Sequence, residues 1–217
     1  MKRLFIFILY FLTLQESFSQ ILNSSNLYYD CSENDFIQKL EKWVAINKNE
    51  ELNIDYINKD KGELIISGTY NPLKSGLYAT SFDILKPYIT YSIEFTCKEN
   101  ECNYSFKNTT YYFKSSYGDV SYIPKKYLDE TEIELNEIIA NDAKYVIDES
   151  FKYSIEYDQE KMNSYKKIAD DVNQKKNIRK KNLEMYNKYV IENKVYKKII
   201  SDLKIMQSTI YLQLSRL

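Results

Sequence analysis

The chain contains no histidine. That absence removes the Ser-His-Asp and Cys-His nucleophile systems. It also removes His-ligated zinc, copper and haem centres. Lysine, tyrosine and carboxylate chemistry stay open, with no motif pointing to them, and no Gly-rich phosphate loop occurs. Glycine and proline are scarce, at four and three in 217 residues. Long linkers should therefore be few, with helices and strands filling most of the chain. Long apolar runs are missing as well: the uncharged stretch over residues 4–14 is too short to span a bilayer comfortably.

That stretch has another reading. Lys2 and Arg3 precede it, and Ser17-Phe18-Ser19 puts small residues at the −3 and −1 positions of a cleavage site. Basic start, apolar run and small-residue site form the grammar of a secretory signal peptide. The expectation is an exported protein, periplasmic or secreted, that begins at Gln20. No lipobox cysteine follows, so no N-terminal lipid anchor is expected, nor a transmembrane span in the mature chain.

The full chain is 44% apolar and 28% charged, the balance of a folded protein. Its 22 tyrosines accompany many Lys, Asn and Ile residues, so AT-rich codon usage accounts for them better than a sugar- or peptide-binding aromatic surface. Charge is split. Residues 20–159 carry 14 Lys and Arg against 24 Asp and Glu, a net of −10, whereas residues 160–217 carry 14 against 6, a net of +8. The basic cluster Lys175, Lys176, Arg179, Lys180 and Lys181 invites an anionic-surface reading. A solvated face, or packing against the acidic front, explains it with less, and no strong apolar face accompanies it for deep membrane insertion.

Periodicity gives an order of elements. Residues 26–31 read as a strand. Ser32 or Asn34 then caps a helix whose stripe is Phe36, Ile37, Leu40, Trp43 and Val44. A hairpin follows: Leu52, Ile54 and Tyr56 alternate, Lys59-Asp60-Lys61-Gly62 turns, and Leu64, Ile66, Gly68 and Tyr70 alternate again. Residues 71–87 read as the longest connection. In the second hairpin a four-residue loop over 98–101 sets Cys97 opposite Cys102, Phe95 opposite Tyr104 and Ile93 opposite Phe106. Thr131-Glu132-Ile133-Glu134 resembles a capping box. From Leu135 a helical stripe runs through Val146, Ile147, Phe151 and Ile155 to Val172, read as one long helix, although Phe151 to Tyr157 also alternate as a strand would. Residues 173–182 read as a bend. Tyr189, Tyr196, Leu203, Ile210 and Leu217 then recur every seven residues, with Met185, Ile199 and Met206 as a second seam that Glu192 and Gln213 interrupt. An intramolecular helix hairpin is favoured over a dimeric coiled coil.

The Lys42-Trp43 pair, the turn Asp60-Lys61-Gly62-Glu63-Leu64-Ile65-Ile66-Ser67-Gly68, and the segments Tyr91-Ser92-Ile93-Glu94-Phe95 and Asn103-Tyr104-Ser105-Phe106 together resemble a secreted bacterial domain family. It has unknown function and a TATA-binding-protein-like fold, and the resemblance covers residues 26–148. It implies an α+β architecture: a curved antiparallel sheet gripping helices in a helix-grip arrangement over residues 20–150, followed by a basic helical extension over 151–217. It carries over no catalytic residue, and the fold name does not imply DNA binding. The acidic front half would repel a phosphate backbone, so no nucleic-acid partner is expected.

Cys97 and Cys102 are the sharpest pair, since export makes a disulfide chemically reasonable and directly opposite cysteines can bridge. Cys31 is the odd one. Among the acids, Glu33, Asp35, Glu50, Glu51, Asp55, Asp129 and Glu130 form no pattern that exceeds chance. No cofactor is expected. The leading expectation is a non-enzymatic binding or assembly module of the bacterial cell envelope, its partner an unidentified protein or envelope ligand. Homo-oligomerisation through residues 183–217 is a further expectation. The alternative is an envelope hydrolase or thiol-redox protein using carboxylates or Cys97 and Cys102.

Overall fold

The computed structural model describes residues 24–47, 51–72, 85–115, 118–119 and 144–217. The elements are β1 (Ser25–Tyr28), α1 (Glu33–Ile46), β2 (Asn53–Asn58), β3 (Glu63–Tyr70), β4 (Leu85–Lys98), β5 (Glu101–Ser115), β6 (Gly118–Asp119), β7 (Lys144–Val146), α2 (Glu149–Asp170) and α3 (Lys176–Leu214). The strands make one antiparallel sheet in the order β1-β5-β4-β3-β2. The long strand β5 carries β1, β7 and β6 in turn along its other edge. The protein is α+β, as expected.

α1 starts where Ser32 accepts a hydrogen bond from the Asp35 amide at 3.2 Å, with Glu33 and Asp35 in the first turn to match the positive helix end. Phe36, Ile37, Leu40, Trp43 and Val44 are its buried stripe. The turn before β3 depends on Gly62, whose φ is +65°. A Cβ there would lie 2.2 Å from the carbonyl oxygen of Cys97, so the residue is needed for space as well as for backbone freedom. In the second hairpin, Cys97 faces Cys102, Phe95 faces Tyr104 and Ile93 faces Phe106, the register the alternation implies. Pairing continues to Lys98 and Glu101, so the turn is shorter than the four-residue loop expected, with Asn100 at φ +63°.

Several expectations need correction. β1 ends at Tyr28, and Tyr29 leaves the ladder to stack on Phe36 at 4.1 Å and donate its hydroxyl proton to the Lys98 carbonyl oxygen. β4 begins at Leu85, so Pro87 lies inside a strand. It is tolerated because β3 pairs with β4 only from Ile89 onward, leaving Pro87 a ladder partner on one side alone. In β2 a bulge between Ile54 and Tyr56 turns Tyr56 to the opposite face, where its hydroxyl donates to Glu63 at 3.2 Å. The single long helix does not form. Tyr145 pairs with Tyr111 in strand β7, and Asp148 then accepts from the amides of Ser150 and Phe151, starting α2 afresh. Residues 150–158 are helical. The bend is confined to the break at 171–175, and the basic cluster from Lys176 onward already belongs to α3. The expected capping box at 131–134 and the middle of the 71–87 connection lie outside the described residues.

One hydrophobic core contains side chains from α1, the sheet, α2 and α3. Ile199, Leu203, Met206 and Ile210 have no exposed surface, so this part of the heptad seam is not available to a second copy. Two polar contacts lock α3 in place. The Trp43 indole donates to Gln213 at 3.1 Å, and the Tyr111 hydroxyl donates to the buried Asp202 at 2.7 Å.

Candidate functional site

α2 and α3 form an antiparallel hairpin whose inner edge is aromatic. Phe151 meets Tyr196 at 5.3 Å, and Tyr165 stacks on Tyr189 at 5.6 Å. At the far end the Arg179 guanidinium closes the last turn of α2 by donating to the Ala169 carbonyl at 3.0 Å. Midway, each helix places an acid on its own apolar stripe. Asp158 follows Ile155 on α2, and Glu192 interrupts the seam of α3. The two carboxyl groups line one cleft with Tyr196, and the Lys188 ammonium stands 3.7 Å from Glu192. They open on a cleft of about 290 Å³ walled by Tyr153, Tyr157, Tyr189 and Tyr196.

Burial raises the pKa of both acids. For Glu192 the neighbouring Asp158 charge adds to the rise, while Lys188 opposes it. For Asp158, Tyr196, Glu192 and Lys188 oppose the effect of burial. Burial, and then the Asp158 charge, push the Tyr196 hydroxyl far above the ordinary phenol range, so it remains a donor. Burial likewise raises Tyr189. Because the folded acids hold protons more tightly than the unfolded chain, their contribution to stability is fully present below the unfolded carboxylate range. It is lost as pH rises through the raised values.

Asp158 and Glu192 line the same cleft, and burial disfavours the charged form of each. The hydroxyl of Ser154, at the same cleft, donates to the Ser150 carbonyl at 2.9 Å. The arrangement is better suited to holding a cation. Lys161 already lies 5.1 Å from the Tyr157 ring centre, Lys166 lies 5.0 Å from that of Tyr186, and Lys188 faces Glu192.

Cys97 and Cys102 form a buried disulfide on the helix-covered face of the sheet, and Cys31 is a half-buried free thiol. The acids singled out from the sequence do not converge. Glu33 and Asp35 serve the start of α1, Asp55 accepts from the Ser67 hydroxyl at 3.0 Å, and Glu51 lies beside β2. Glu50, Asp129 and Glu130 lie outside the described residues. Sequence reasoning did not single out Asp158 and read Glu192 only as a break in the seam, although each is an acid on a helical apolar stripe, which is a legible signal. Among the described residues no group of His, Cys, Asp or Glu has the arrangement to hold a metal ion, and no helix is long and apolar enough to cross a membrane.

An antiparallel sheet with helices packed in one core defines the class: an α+β domain. Residues 27–112 match a family described as "Domain of unknown function (DUF4468) with TBP-like fold". The match stops short of residue 148, where the resemblance read from the sequence ends. Two solved structures are similar. One, a DUF4468 family protein from Bacteroides ovatus, shares 17% identity over 45% of this chain and 57% of its own, with a TM-score of 0.35. The chain therefore spans little more than half of that protein. The other, a TBP-like protein from Parabacteroides distasonis, shares 11% identity over 84% of this chain and 91% of its own, with a TM-score of 0.32. No curated protein matches the chain.

Proposed function

We infer that the protein is an exported, non-enzymatic binding module of the bacterial cell envelope. Its ligand site is the tyrosine-walled cleft between α2 and α3. The ligand class is a cationic group, an ammonium or guanidinium, on an apolar body, as presented by a lysine or arginine side chain of an envelope partner. The observation that carries this reading is the acid pair itself. Asp158 and Glu192 line one tyrosine-walled cleft, with Lys188 3.7 Å from Glu192, so they present charge to a ligand. The signal-peptide grammar of residues 1–19 and the buried Cys97–Cys102 disulfide both support export.

A bound cation would favour ionisation of both acids, whose pKa values burial raises, and so release protons. Titrating the chain lacking residues 1–19 with lysyl and arginyl peptide amides by calorimetry should therefore show binding whose heat depends on the ionisation enthalpy of the buffer. Glu192→Gln should weaken that buffer dependence. A cleft that ignores both peptides, or that takes a neutral oligosaccharide with no proton release, would refute the reading.

A further inference from the structure

β2 ends the sheet. Among the described residues it pairs only with β3, so the outward row of its amides and carbonyls has no strand partner. Edge strands are ordinarily blunted by a bulge, as between Ile54 and Tyr56 here, by a cover, or by proline or lysine. β2 contains neither residue, and it exposes Ile54, Tyr56 and Ile57 by 37%, 42% and 36%. Its one charge, Asp55, is engaged by the Ser67 hydroxyl. The bulge places Ile54 opposite Ile66 and Ile57 opposite Leu64, both core-facing positions, so the two isoleucines share one face of the sheet.

The strand is also nearly self-complementary. Asn53-Ile54-Asp55-Tyr56-Ile57-Asn58 reads almost the same in both directions. Antiparallel pairing with a second copy, about a two-fold axis between Asp55 and Tyr56, sets Asn53 against Asn58, Ile54 against Ile57 and Asp55 against Tyr56. The isoleucines meet on the same face, and no like charges oppose each other within the strand. Beyond the strand, this register sets Glu51 of one copy opposite Asp60 of the other, with Lys59 and Lys61 on either side of that aspartate. Lys59 is held by Glu41 at 2.9 Å, whereas Lys61 makes no ion pair among the described residues.

We propose that two copies of this chain associate edge to edge through β2, forming one continuous sheet, with a Glu51–Lys61 ion pair at each end of an isologous interface. This proposal is independent of the α2–α3 cleft.

Light scattering and sedimentation equilibrium on the chain lacking residues 1–19 should show a concentration-dependent dimer. Ile57→Lys, at an exposed position where the fold tolerates a charge, should give a monomer. Glu51→Lys and Lys61→Glu should each weaken the dimer by about tenfold, because two exposed pairs per dimer become repulsions. The double variant should recover the original dissociation constant, which a merely misfolded protein could not do. A chain that stays monomeric at the highest attainable concentration would overturn the proposal, even if β2 accepts an extended peptide from another protein. So would a dimer that ignores all β2 substitutions but is lost on Leu183→Lys, since that would assign assembly to α3.

Discussion

Replacing Asp202 by alanine tests whether α3 is an integral part of the fold or an appendage to it. Asp202 has no exposed surface, and its two oxygens are divided between elements. One accepts from the Tyr111 hydroxyl of β5 at 2.7 Å, and the other receives the Lys198 ammonium of α3 at 3.1 Å. The lysine side chain is itself only 14% exposed. Removing one member of such a buried pair costs about 3–5 kcal/mol, because the surviving charge keeps its desolvation penalty without its carboxylate. Domains of this kind have a net stability of about 5–15 kcal/mol, so the loss is a large fraction of the whole. At about 2–4 °C per kcal/mol for chains of this length, Asp202→Ala should lower Tm by roughly 10 °C. Tyr111→Phe removes the sheet-side donor alone and should cost about 1.5–3 kcal/mol. The two effects should not add, because both act on one oxygen of one carboxylate. The assay is thermal and urea unfolding followed in parallel by far-UV and near-UV circular dichroism. A shift of less than about 2 °C would refute the reasoning. So would a helix signal that melts early while the sheet unfolds at its original midpoint, since α3 would then not share the core.

Three further predictions follow from named contacts. Gly62→Ala should destabilise by more than the roughly 1–2 kcal/mol of a left-handed alanine, because its methyl group meets the Cys97 carbonyl; urea unfolding of the variant measures this, and a neutral result would contradict the turn geometry. Reducing Cys97–Cys102 should lower stability by only about 2 kcal/mol, because the closed loop is short, and alkylation under denaturing conditions before and after reduction should count one free thiol and then three. Glu192→Gln should raise Tm near neutral pH and leave it nearly unchanged in acid, because glutamine matches the shape of the protonated carboxyl and removes the loss of stability that accompanies its ionisation; a stability gain that is uniform across pH would contradict the raised pKa of Glu192.

What could be read in advance follows from how many residues vote for the same answer. In the β4–β5 hairpin, Ile93, Phe95, Cys97, Cys102, Tyr104 and Phe106 all demand the same face, so a one-residue slip would expose every one of them. α1 was legible for the same reason, with five buried residues on one stripe behind a capping serine. β7 was not, because three residues cannot outvote a helical period that Ile147, Phe151 and Ile155 continue without interruption. The opposing signal was a single side chain, Asp148, whose carboxylate caps the amides beyond it and makes that position a helix start.

α3 is the case in which a correct period concealed two different partners. One seven-residue repeat runs from Tyr189 to Leu217, yet it packs on α2 near Tyr189 and Tyr196 and enters the common core from Ile199 onward. A single continuous seam has no means of recording that change of neighbour. The interruptions record it instead. Glu192 breaks the seam where α3 faces Asp158 across the cleft, and Gln213 breaks it where α3 meets the indole of Trp43. An apolar repeat specifies only that a face is covered. The polar residues that violate it must each find a specific partner when buried, so they locate the neighbouring elements and, in the Asp158–Glu192 pair, the candidate site itself.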